Sequence, residues 1–390
     1  MKKSMYRLIF IAIFSLTIAY PIYGSFLSEN IELSGVSVNS NYPKFSVKTF
    51  FSGEFQSSVT DWWADYFPGK NVIIKVRNQL LFSLTKQSPN NNVVIGKNYN
   101  LYEPVYINRE IGVLGSTPKS EFENLIQKLG KLQRLLEENG KELYIFITPS
   151  KAQFVDEFPW QYDALKVDDF ETDYNKFIKM LPESDLKYFD AVACIDELSK
   201  KNVVKAPLFY KAGTHWSHSY GSLAAIDFAE YISENSKWDL SKLEFKESEC
   251  DAPIWPDADL YQSLNVISTP KEQYYQVDVK IREDGEEKDK PSVFLRGGSF
   301  MGQSLKALVA AGVFDEDVHL ENNYYFTNRY QQTGTLSNAQ AYDEMDINAL
   351  LAKSDIVILE VNVAGIANMS FGFIDYLLEH PEYLNNFTND

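Results

Sequence analysis

The sequence predicts an α/β protein with a doubly wound, mainly parallel sheet, and three observations favour this class. Strongly apolar segments of strand length alternate with amphipathic helical segments over most of the chain, as in sheets covered on both faces. The 390 residues are 45% hydrophobic and 14% aromatic, which is enough for a large core. No repeat of about 20 to 50 residues is present, which argues against a solenoid or a propeller.

The alternation becomes regular from Thr117. Apolar residues at helical spacing predict a helix over 122–136 that stops at Asn139-Gly140, and the apolar run 143–148 predicts a strand buried on both faces. Further elements follow in the same rhythm. The predicted strands are 187–192, 293–296, 319–325 and 355–361, and the predicted helices are 170–181, 220–232 and 303–311.

Residues 237–290 break this rhythm. They contain Pro253, Trp255 and Pro256, a predicted strand over 274–282 and a charged turn, so we interpret them as an inserted subdomain at one edge of the sheet. The predicted organisation is a signal anchor or signal peptide over 1–24, a juxtamembrane spacer over 25–60 and one domain over 61–390 that carries this insertion.

The N-terminus has the features of an export signal. Lys2, Lys3 and Arg7 precede an apolar run of about 16 residues over 8–23, a length between that of a cleavable signal core and that of a full membrane span. Pro21 interrupts the region where a cleavage site would lie, which favours an uncleaved anchor, although cleavage stays open. Positive residues before the run predict that the rest of the chain lies outside the cytoplasm.

The overall charge excludes some partners. A net charge of -17 argues against nucleic acid and against adhesion to an anionic membrane through a basic patch, because both need clustered Lys and Arg. The 24 Tyr and 6 Trp residues suit stacking on sugars, but they also fill ordinary cores, so composition does not decide carbohydrate binding. Cys194 and Cys250 are compatible with a disulfide or with two free thiols.

Two segments carry residues of a serine acyl-transfer site. In FLRGGSFMGQS (294–304), a predicted strand runs through Gly297-Gly298 into Ser299 and a helix, which is the setting of an activated nucleophile with an oxyanion site beside it. In GTHWSHSYG (213–221), His215 lies in a loop before a helix. Each segment alone is more often structural, as a helix cap or a hydrogen-bonding His. Together they predict Ser299 as nucleophile and His215 as general base.

Several segments in this order resemble the SGNH-hydrolase-like domain of the alginate O-acetyltransferase family, whose members are periplasmic or membrane-anchored. The resemblance covers about residues 50–375. The segments that carry it are ADYFPGKNVIIKVRNQLLFSL, VVIGKNYNLY, ITPSKAQF, GTHWSHSYG, DADLYQSLNV, the Gly-Gly-Ser turn and DIVILEVNV.

The resemblance implies a three-layer α/β/α sandwich of the SGNH-hydrolase type. Ordinary SGNH hydrolases place the Ser strand first and the His loop last, whereas His215 precedes Ser299 here, so the resemblance implies a circular permutation. Gly221 matches the glycine of the helix behind the family's His. Asn362, after the strand 355–361, falls where the family places an oxyanion-hole Asn, which would act with the Ser299 N–H.

Two departures from the family pattern concern the orienting acid. The family usually has Asp two residues before the His, where this chain has Gly213, and its Gly-Asp-Ser is Gly-Gly-Ser here. Three alternatives therefore stay open: a Ser-His dyad suffices, another acid such as Glu360 takes the place of the Asp, or the domain binds without catalysis.

Other polar residues are candidates for substrate contacts or ligands. His218 lies one helical turn from His215 without a third ligand nearby, so no metal site and no cofactor are predicted. The candidate substrate contacts are Trp216, Lys151, Arg296, Tyr325 and Arg329. Of these, Lys151 and Arg296 would suit an anionic sugar.

The resemblance implies an extracytoplasmic O-acetyltransferase that passes acetyl through an acyl-serine to hydroxyl groups of an exported or cell-surface polysaccharide. It also implies a membrane-bound O-acyltransferase as partner and acetyl donor. Two alternatives remain: a carbohydrate acetyl esterase that uses the same residues with water as acceptor, and a noncatalytic polysaccharide-binding or scaffold subunit of an acetylation or export complex.

Overall fold

The computed structural model describes residues 2–27, 31–35, 40–282, 288–314, 325–327, 330–333, 335–341 and 347–384. The chain divides into two compact units. The first unit is Met1–Ile95 with Leu260–Pro270, and the second is Gly96–Asp259 with Lys271–Asp390. The domain limits expected at residues 24 and 60 stay predictions.

The strands and helices are numbered here in chain order. The strands are β1 (Val94–Ile95), β2 (Leu101–Tyr102), β3 (Glu142–Thr148), β4 (Tyr188–Asp190), β5 (Leu243–Cys250), β6 (Tyr274–Ile281), β7 (Val293–Arg296), β8 (Tyr325–Thr327), β9 (Tyr330–Thr333), β10 (Thr335–Ala341) and β11 (Ile356–Asn362). The helices are α1 (Lys2–Leu27), α2 (Val47–Phe51), α3 (Glu54–Tyr66), α4 (Lys70–Leu80), α5 (Pro104–Glu110), α6 (Lys119–Glu138), α7 (Lys151–Phe154), α8 (Trp160–Asp163), α9 (Asp173–Ile178), α10 (Ala191–Lys201), α11 (His218–Asn235), α12 (Asp259–Leu264), α13 (Gly302–Ala311), α14 (Ile347–Ala352) and α15 (Phe373–Glu379). Short 3-10 helices include Ser299–Met301 and Val363–Gly372.

The first unit contains α1 to α4, and its segment Leu260–Pro270 is bound by polar side chains of α4. The Asn78 amide donates to the Leu264 carbonyl at 2.8 Å, and the Gln79 amide oxygen accepts from the backbone N–H of Ile267 at 2.8 Å. In the part of the chain that the structure describes, no helix, α1 included, is both long and apolar enough to span a membrane.

The second unit is built on a four-stranded parallel sheet in the order β4-β3-β11-β7. The strands of the earlier half of the chain, β3 and β4, are neighbours, and so are those of the later half, β7 and β11. The halves join where β11 pairs with β3, from Ile356 beside Glu142 to Asn362 beside Thr148. This is the arrangement that the circular permutation predicts, and the predicted α/β class is confirmed.

Each strand contributes alternate side chains to two hydrophobic layers, as a doubly wound sheet requires. On one face, Tyr144 and Phe146 of β3 pack with α11 and α13, and on the other, Leu143 and Ile145 pack with α6 and α15. All four side chains are fully buried. The three-layer sandwich therefore follows from strands that are apolar on both faces.

Several element predictions differ in detail from the structure. The helix expected over 170–181 is only α9, because Thr172 caps its start and a separate 3-10 helix, Leu181–Glu183, follows with Pro182 in its first turn. Within the expected insertion, β5 and β6 form an antiparallel pair, and α12 lies in the connection between them. Residues 319–324 of the strand expected before Tyr325 lie outside the described residues. Cys194 and Cys250 are both free thiols.

Candidate active site

Ser299 lies at the carboxyl edge of the sheet. The buried strand β7 runs into Gly297 and Gly298, and Ser299 is the first residue of the 3-10 helix that leads into α13. The Ser299 side chain is exposed, whereas the next two residues, Phe300 and Met301, are buried in the core. The turn therefore exposes the Ser299 hydroxyl group, while the two residues that follow are anchored in the hydrophobic core.

His215 is brought to this turn by packing between the helices that follow the two segments. Ser217 caps α11, and the Trp216 indole N–H donates to the Phe300 carbonyl at 2.7 Å. Gly221 in α11 packs so closely on Gln303 in α13 that a side chain at 221 would collide with the Gln303 Cβ. The spacing of α11 and α13 thus sets the spacing of His215 and Ser299.

Ser299, His215 and Asp259 form a continuous chain of hydrogen bonds. The His215 Nε2 lies 2.8 Å from the Ser299 Oγ, and its Nδ1 lies 2.8 Å from the Asp259 Oδ2. The second oxygen of Asp259 accepts from the Thr214 N–H at 2.9 Å. Because an ionised carboxylate can only accept, Nδ1 carries the proton and Nε2 is left to accept from the Ser299 hydroxyl. This is the arrangement of nucleophile, base and orienting acid used in acyl transfer.

A carboxylate from elsewhere in the chain reaches His215, in place of the Asp missing before it. A Cβ atom at Gly213 would lie 2.5 Å from the Asp257 carbonyl oxygen, so no Asp fits at position 213. Asp259, two residues after Asp257, starts α12 and reaches the same imidazole from the other side of the loop. The segment that excludes the family's Asp therefore provides its replacement.

The alternative in which Glu360 takes the place of the orienting Asp is corrected by this geometry. Glu360 is buried, and it accepts hydrogen bonds from the Gly298 N–H at 2.6 Å and from the Thr148 hydroxyl at 2.5 Å. The position at the His215 Nδ1 belongs to Asp259. Burial raises the pKa of Glu360 to about 7, against the lowering effect of its two hydrogen bonds.

Asn362 lies at the end of β11, as expected, but its side chain caps the following 3-10 helix. Its Oδ1 accepts from the Ala364 N–H at 3.0 Å, and its Nδ2 donates to the Pro149 carbonyl at 2.7 Å. Ser299, as the first residue of its 3-10 helix, has a backbone N–H without an intrahelical acceptor. An oxyanion role for the Ser299 N–H and for Asn362 stays a prediction.

The structure places three of the predicted substrate contacts in the interior, which corrects those predictions. Trp216 and Arg296 are fully buried, and the Arg296 Nε donates to the Ser370 carbonyl. Lys151 is 2% exposed and donates to backbone carbonyls, including that of Gly213 at 3.0 Å. These side chains shape the core and the His215 loop and do not face a substrate. Arg329 and the side chain of Tyr325 lie outside the described residues.

His218 binds a backbone group. Its Nε2 lies 2.9 Å from the Trp255 carbonyl oxygen, and burial lowers the pKa of its imidazole. Within the described ranges, no group of three His, Cys, Asp or Glu side chains is placed to hold a metal ion.

Sequence reasoning missed Asp259, although the segment DADLYQSLNV that contains it carries part of the family resemblance. It also missed Glu103, which directly precedes α5 and hydrogen-bonds the Thr214 side chain next to His215. Burial, reinforced by the charge of Asp259, raises the pKa of Glu103. The only signal available for Asp259 was that it is an acidic residue in a segment that carries the family resemblance, and the structure places it at the start of α12, where short acidic residues are common for capping reasons alone.

Gly213→Ala tests whether the space beside Asp257 is as tight as the geometry indicates. We expect the free energy of unfolding to fall by about 1 to 3 kcal/mol, because the added methyl group meets a backbone oxygen that has little room to move. Chemical denaturation measures the change. Gly365→Ala is the matched control, since a Cβ there has no atom within 4 Å. Equal effects of the two substitutions would contradict the steric explanation.

Comparisons with known proteins place the chain in a family. The family model described as "SGNH hydrolase-like domain, acetyltransferase AlgX" matches residues 103–314, more than half of the 390 residues. Comparison with curated protein sequences gives no match.

Three solved structures are similar to this chain. The O-acetyltransferase domain of Pseudomonas putida AlgJ is 17% identical, with a TM-score of 0.43 over 71% of this chain and 92% of that chain. Bacillus cereus PatB1 is 12% identical, with a TM-score of 0.38 over 66% of this chain and 93% of that chain. Pseudomonas aeruginosa AlgX is 13% identical, with a TM-score of 0.41 over 73% of this chain and 66% of that chain. On the family match, the chain belongs to the AlgX acetyltransferase family with an SGNH hydrolase-like domain.

Proposed function

We propose that this protein is an extracytoplasmic O-acetyltransferase that moves acetyl groups through an acyl-Ser299 intermediate to hydroxyl groups of an exported or cell-surface polysaccharide. The observation that carries the proposal is the hydrogen-bonded chain from Ser299 through His215 to Asp259. Membership of an acetyltransferase family supports acetyl as the transferred group.

In the first half-reaction, the Ser299 Oγ attacks the carbonyl carbon of the acetyl donor while its proton passes to the His215 Nε2. Asp259 holds the Nδ1 proton and stabilises the positive imidazolium that forms. The Ser299 N–H is the candidate donor to the developing oxyanion. Collapse of the tetrahedral intermediate breaks the bond to the donor's leaving group, which takes the proton from His215, and acetyl-Ser299 remains.

In the second half-reaction, a sugar hydroxyl loses its proton to the His215 Nε2 and attacks the acetyl-Ser299 carbonyl. The Ser299 Oγ then leaves and recovers the proton, so the enzyme returns to its starting state. Water in place of the sugar hydroxyl would make the same site an esterase. The two activities differ only in which hydroxyl reaches the acyl-serine.

The proposed location is outside the cytoplasm, with the chain tethered through its N-terminal segment. The support is the run of Lys2, Lys3 and Arg7 before the apolar residues 8–23. A membrane-bound O-acyltransferase is the proposed partner, because acetyl-CoA is a cytoplasmic donor and an exported enzyme needs acetyl delivered across the membrane.

Exposure of the purified protein to an activated acetyl ester tests the proposal. We expect the intact mass to increase by one acetyl group, with no increase for Ser299→Ala and an acylation rate at least about 10³-fold lower for His215→Ala. Ser304→Ala is the control, because Ser304 follows on the same segment but its buried hydroxyl bonds the Gly221 carbonyl.

Adding polysaccharide fragments to the acetylated protein then separates the alternatives. Transfer of acetyl to the sugar in preference to water supports the transferase, and release of acetate at the same rate with and without sugar supports an esterase. Absence of serine-dependent acetylation overturns the catalytic proposal and leaves a polysaccharide-binding or scaffold subunit.

A further inference from the structure

Glu360 has a buried carboxyl group that packs directly against the Gly297-Gly298-Ser299 turn. It is not part of the hydrogen-bonded chain of Ser299, His215 and Asp259. It is 1% exposed and lies on β11, whose neighbour β7 ends at this turn. One of its oxygens accepts from the Gly298 N–H and the other from the Thr148 hydroxyl, at 2.6 and 2.5 Å. Buried carboxyl groups are costly, so a group retained here needs an explanation.

The contact with the turn is tight enough to fix its position. A Cβ atom at Gly297 would lie 2.6 Å from the Glu360 Cβ and 2.8 Å from its Oε2. Gly297 therefore rests directly on the Glu360 side chain, and the next N–H, that of Gly298, is held by the carboxyl group. Because Ser299 follows immediately, the direction of its N–H and hydroxyl depends on this anchor.

The charge of Glu360 also acts on the triad. Among the residues that the structure describes, the titratable groups whose charges interact with Glu360 are His215, from the loop before α11, and Tyr106, from α5. The positive charge of His215 lowers the pKa of Glu360, and Glu360 in turn raises the pKa of Tyr106. The partners from β3 and from the β7 turn, Thr148 and Gly298, carry no charge. The interaction between an ionised Glu360 and a protonated His215 is therefore attractive and lies in a buried setting.

We propose that Glu360 is a positioning residue for the acyl-transfer reaction, which fixes the Gly297-Gly298-Ser299 turn and adds a second negative charge that stabilises the His215 imidazolium. This proposal rests on the proposed function for its effect on rate. The two contributions need different protonation states. A neutral carboxyl group still accepts from the Gly298 N–H and donates to the Thr148 hydroxyl, but only the ionised form stabilises the imidazolium.

The test compares Glu360→Gln with wild type in the acetylation rate of Ser299 between about pH 5 and pH 9. The amide keeps both hydrogen bonds and resembles the neutral acid. We expect equal rates at low pH and a rate about tenfold lower for Glu360→Gln at high pH, because the amide lacks the nearby negative charge that favours the protonated imidazole. Glu360→Ala loses the anchor and is expected to be slower at every pH.

Glu110→Gln is the matched control, because burial also raises the pKa of Glu110 but its neighbouring charges are Lys166 and Asp156. We expect it to keep the wild-type pH profile. A Glu360→Gln profile that coincides with wild type at all pH values would overturn the electrostatic role, and full activity of Glu360→Ala would overturn the anchoring role.

A second measurement separates failure of this inference from failure of the proposed function. Infrared spectroscopy follows the carbonyl stretch of the protonated Glu360 during a pH titration and needs no turnover, with Glu360→Gln identifying the band. We expect His215→Gln to move this titration to higher pH, because it removes the positive charge that lowers the pKa of Glu360. An unchanged titration would contradict the coupling even if Ser299 is acetylated.

Discussion

Replacement of Asp259 by Asn should lower the rate of Ser299 acetylation about 10⁴-fold, as the equivalent change does in a serine protease. The amide cannot stabilise the imidazolium, and its NH₂ group favours the tautomer of His215 in which Nδ1 accepts and Nε2 carries the proton. The Ser299 hydroxyl then has no base. Single-turnover kinetics with an activated acetyl ester measure the rate, and denaturation curves establish that the variant is folded.

Asp257→Asn provides the matched control for this prediction. Asp257 is a fully buried acid two residues away, and burial raises its pKa to about 7, but Asp259 makes the hydrogen bond to His215. We expect its acetylation rate to stay within about tenfold of wild type. The same modest loss for Asp259→Asn would mean that a Ser-His dyad suffices.

A second variant asks whether the orienting acid can return to the family's usual position. The double substitution Asp259→Asn with Gly213→Asp should not recover activity, because the Asp257 carbonyl occupies the space of the new Cβ. Recovery would show that the loop adapts and that position 213 is free to supply the acid.

The central strands could be predicted from the sequence because their signal is local. Residues 143–148 and 356–361 are apolar at almost every position, and a strand buried on both faces needs that pattern. The prediction of Ser299 as a nucleophile depends on the same kind of signal, since a strand followed by two glycines and a helix is a compact pattern. These features depend on neighbours in the chain.

Asp259 and Glu360 show that contacts between segments distant in sequence cannot be predicted from local patterns. Asp259 reaches His215 across 44 positions of sequence, after the strand β5, and nothing between the two segments indicates that they meet. The acidic residue nearest the predicted oxyanion site was Glu360, which made it the plausible orienting acid. Packing decides between them, because the side chain of Glu360 faces the Gly297-Gly298 turn and not the His215 Nδ1.

The burial of Lys151 could not be predicted from the sequence either. A Lys after a strand end is expected to be exposed. The structure shows its ammonium group donating to the carbonyls of Leu101, Tyr210, Lys211 and Gly213, at distances from 2.8 to 3.0 Å. Lys151 therefore links separate backbone segments. One of them ends at Gly213, immediately before Thr214 and His215.

Lys151→Met should be the most destabilising single substitution at the site, with the free energy of unfolding lowered by about 3 to 5 kcal/mol. Met has a similar length but removes the donor of four hydrogen bonds to backbone carbonyls, three of them in buried positions, and a lost hydrogen bond in the interior is costly. Acetylation should also slow where the variant is still folded, because the carbonyl of Gly213 loses its anchor. Denaturation and single-turnover kinetics on the same samples measure both effects.

Lys141→Met separates the two effects of the Lys151 substitution. Lys141 is also buried and donates to the carbonyls of Ala352 and Ser354, but it precedes β3 at the amino edge of the sheet, away from His215. We expect it to lower stability while the folded protein keeps its acetylation rate.

Burial lowers the pKa of Lys151 to about 7, so above that pH the unfolded protein binds more protons at Lys151 than the folded protein does. The wild type should therefore gain stability from Lys151 as pH rises from about 7 to about 10, and a Lys151→Met variant with the same pH dependence would contradict the buried-cation account.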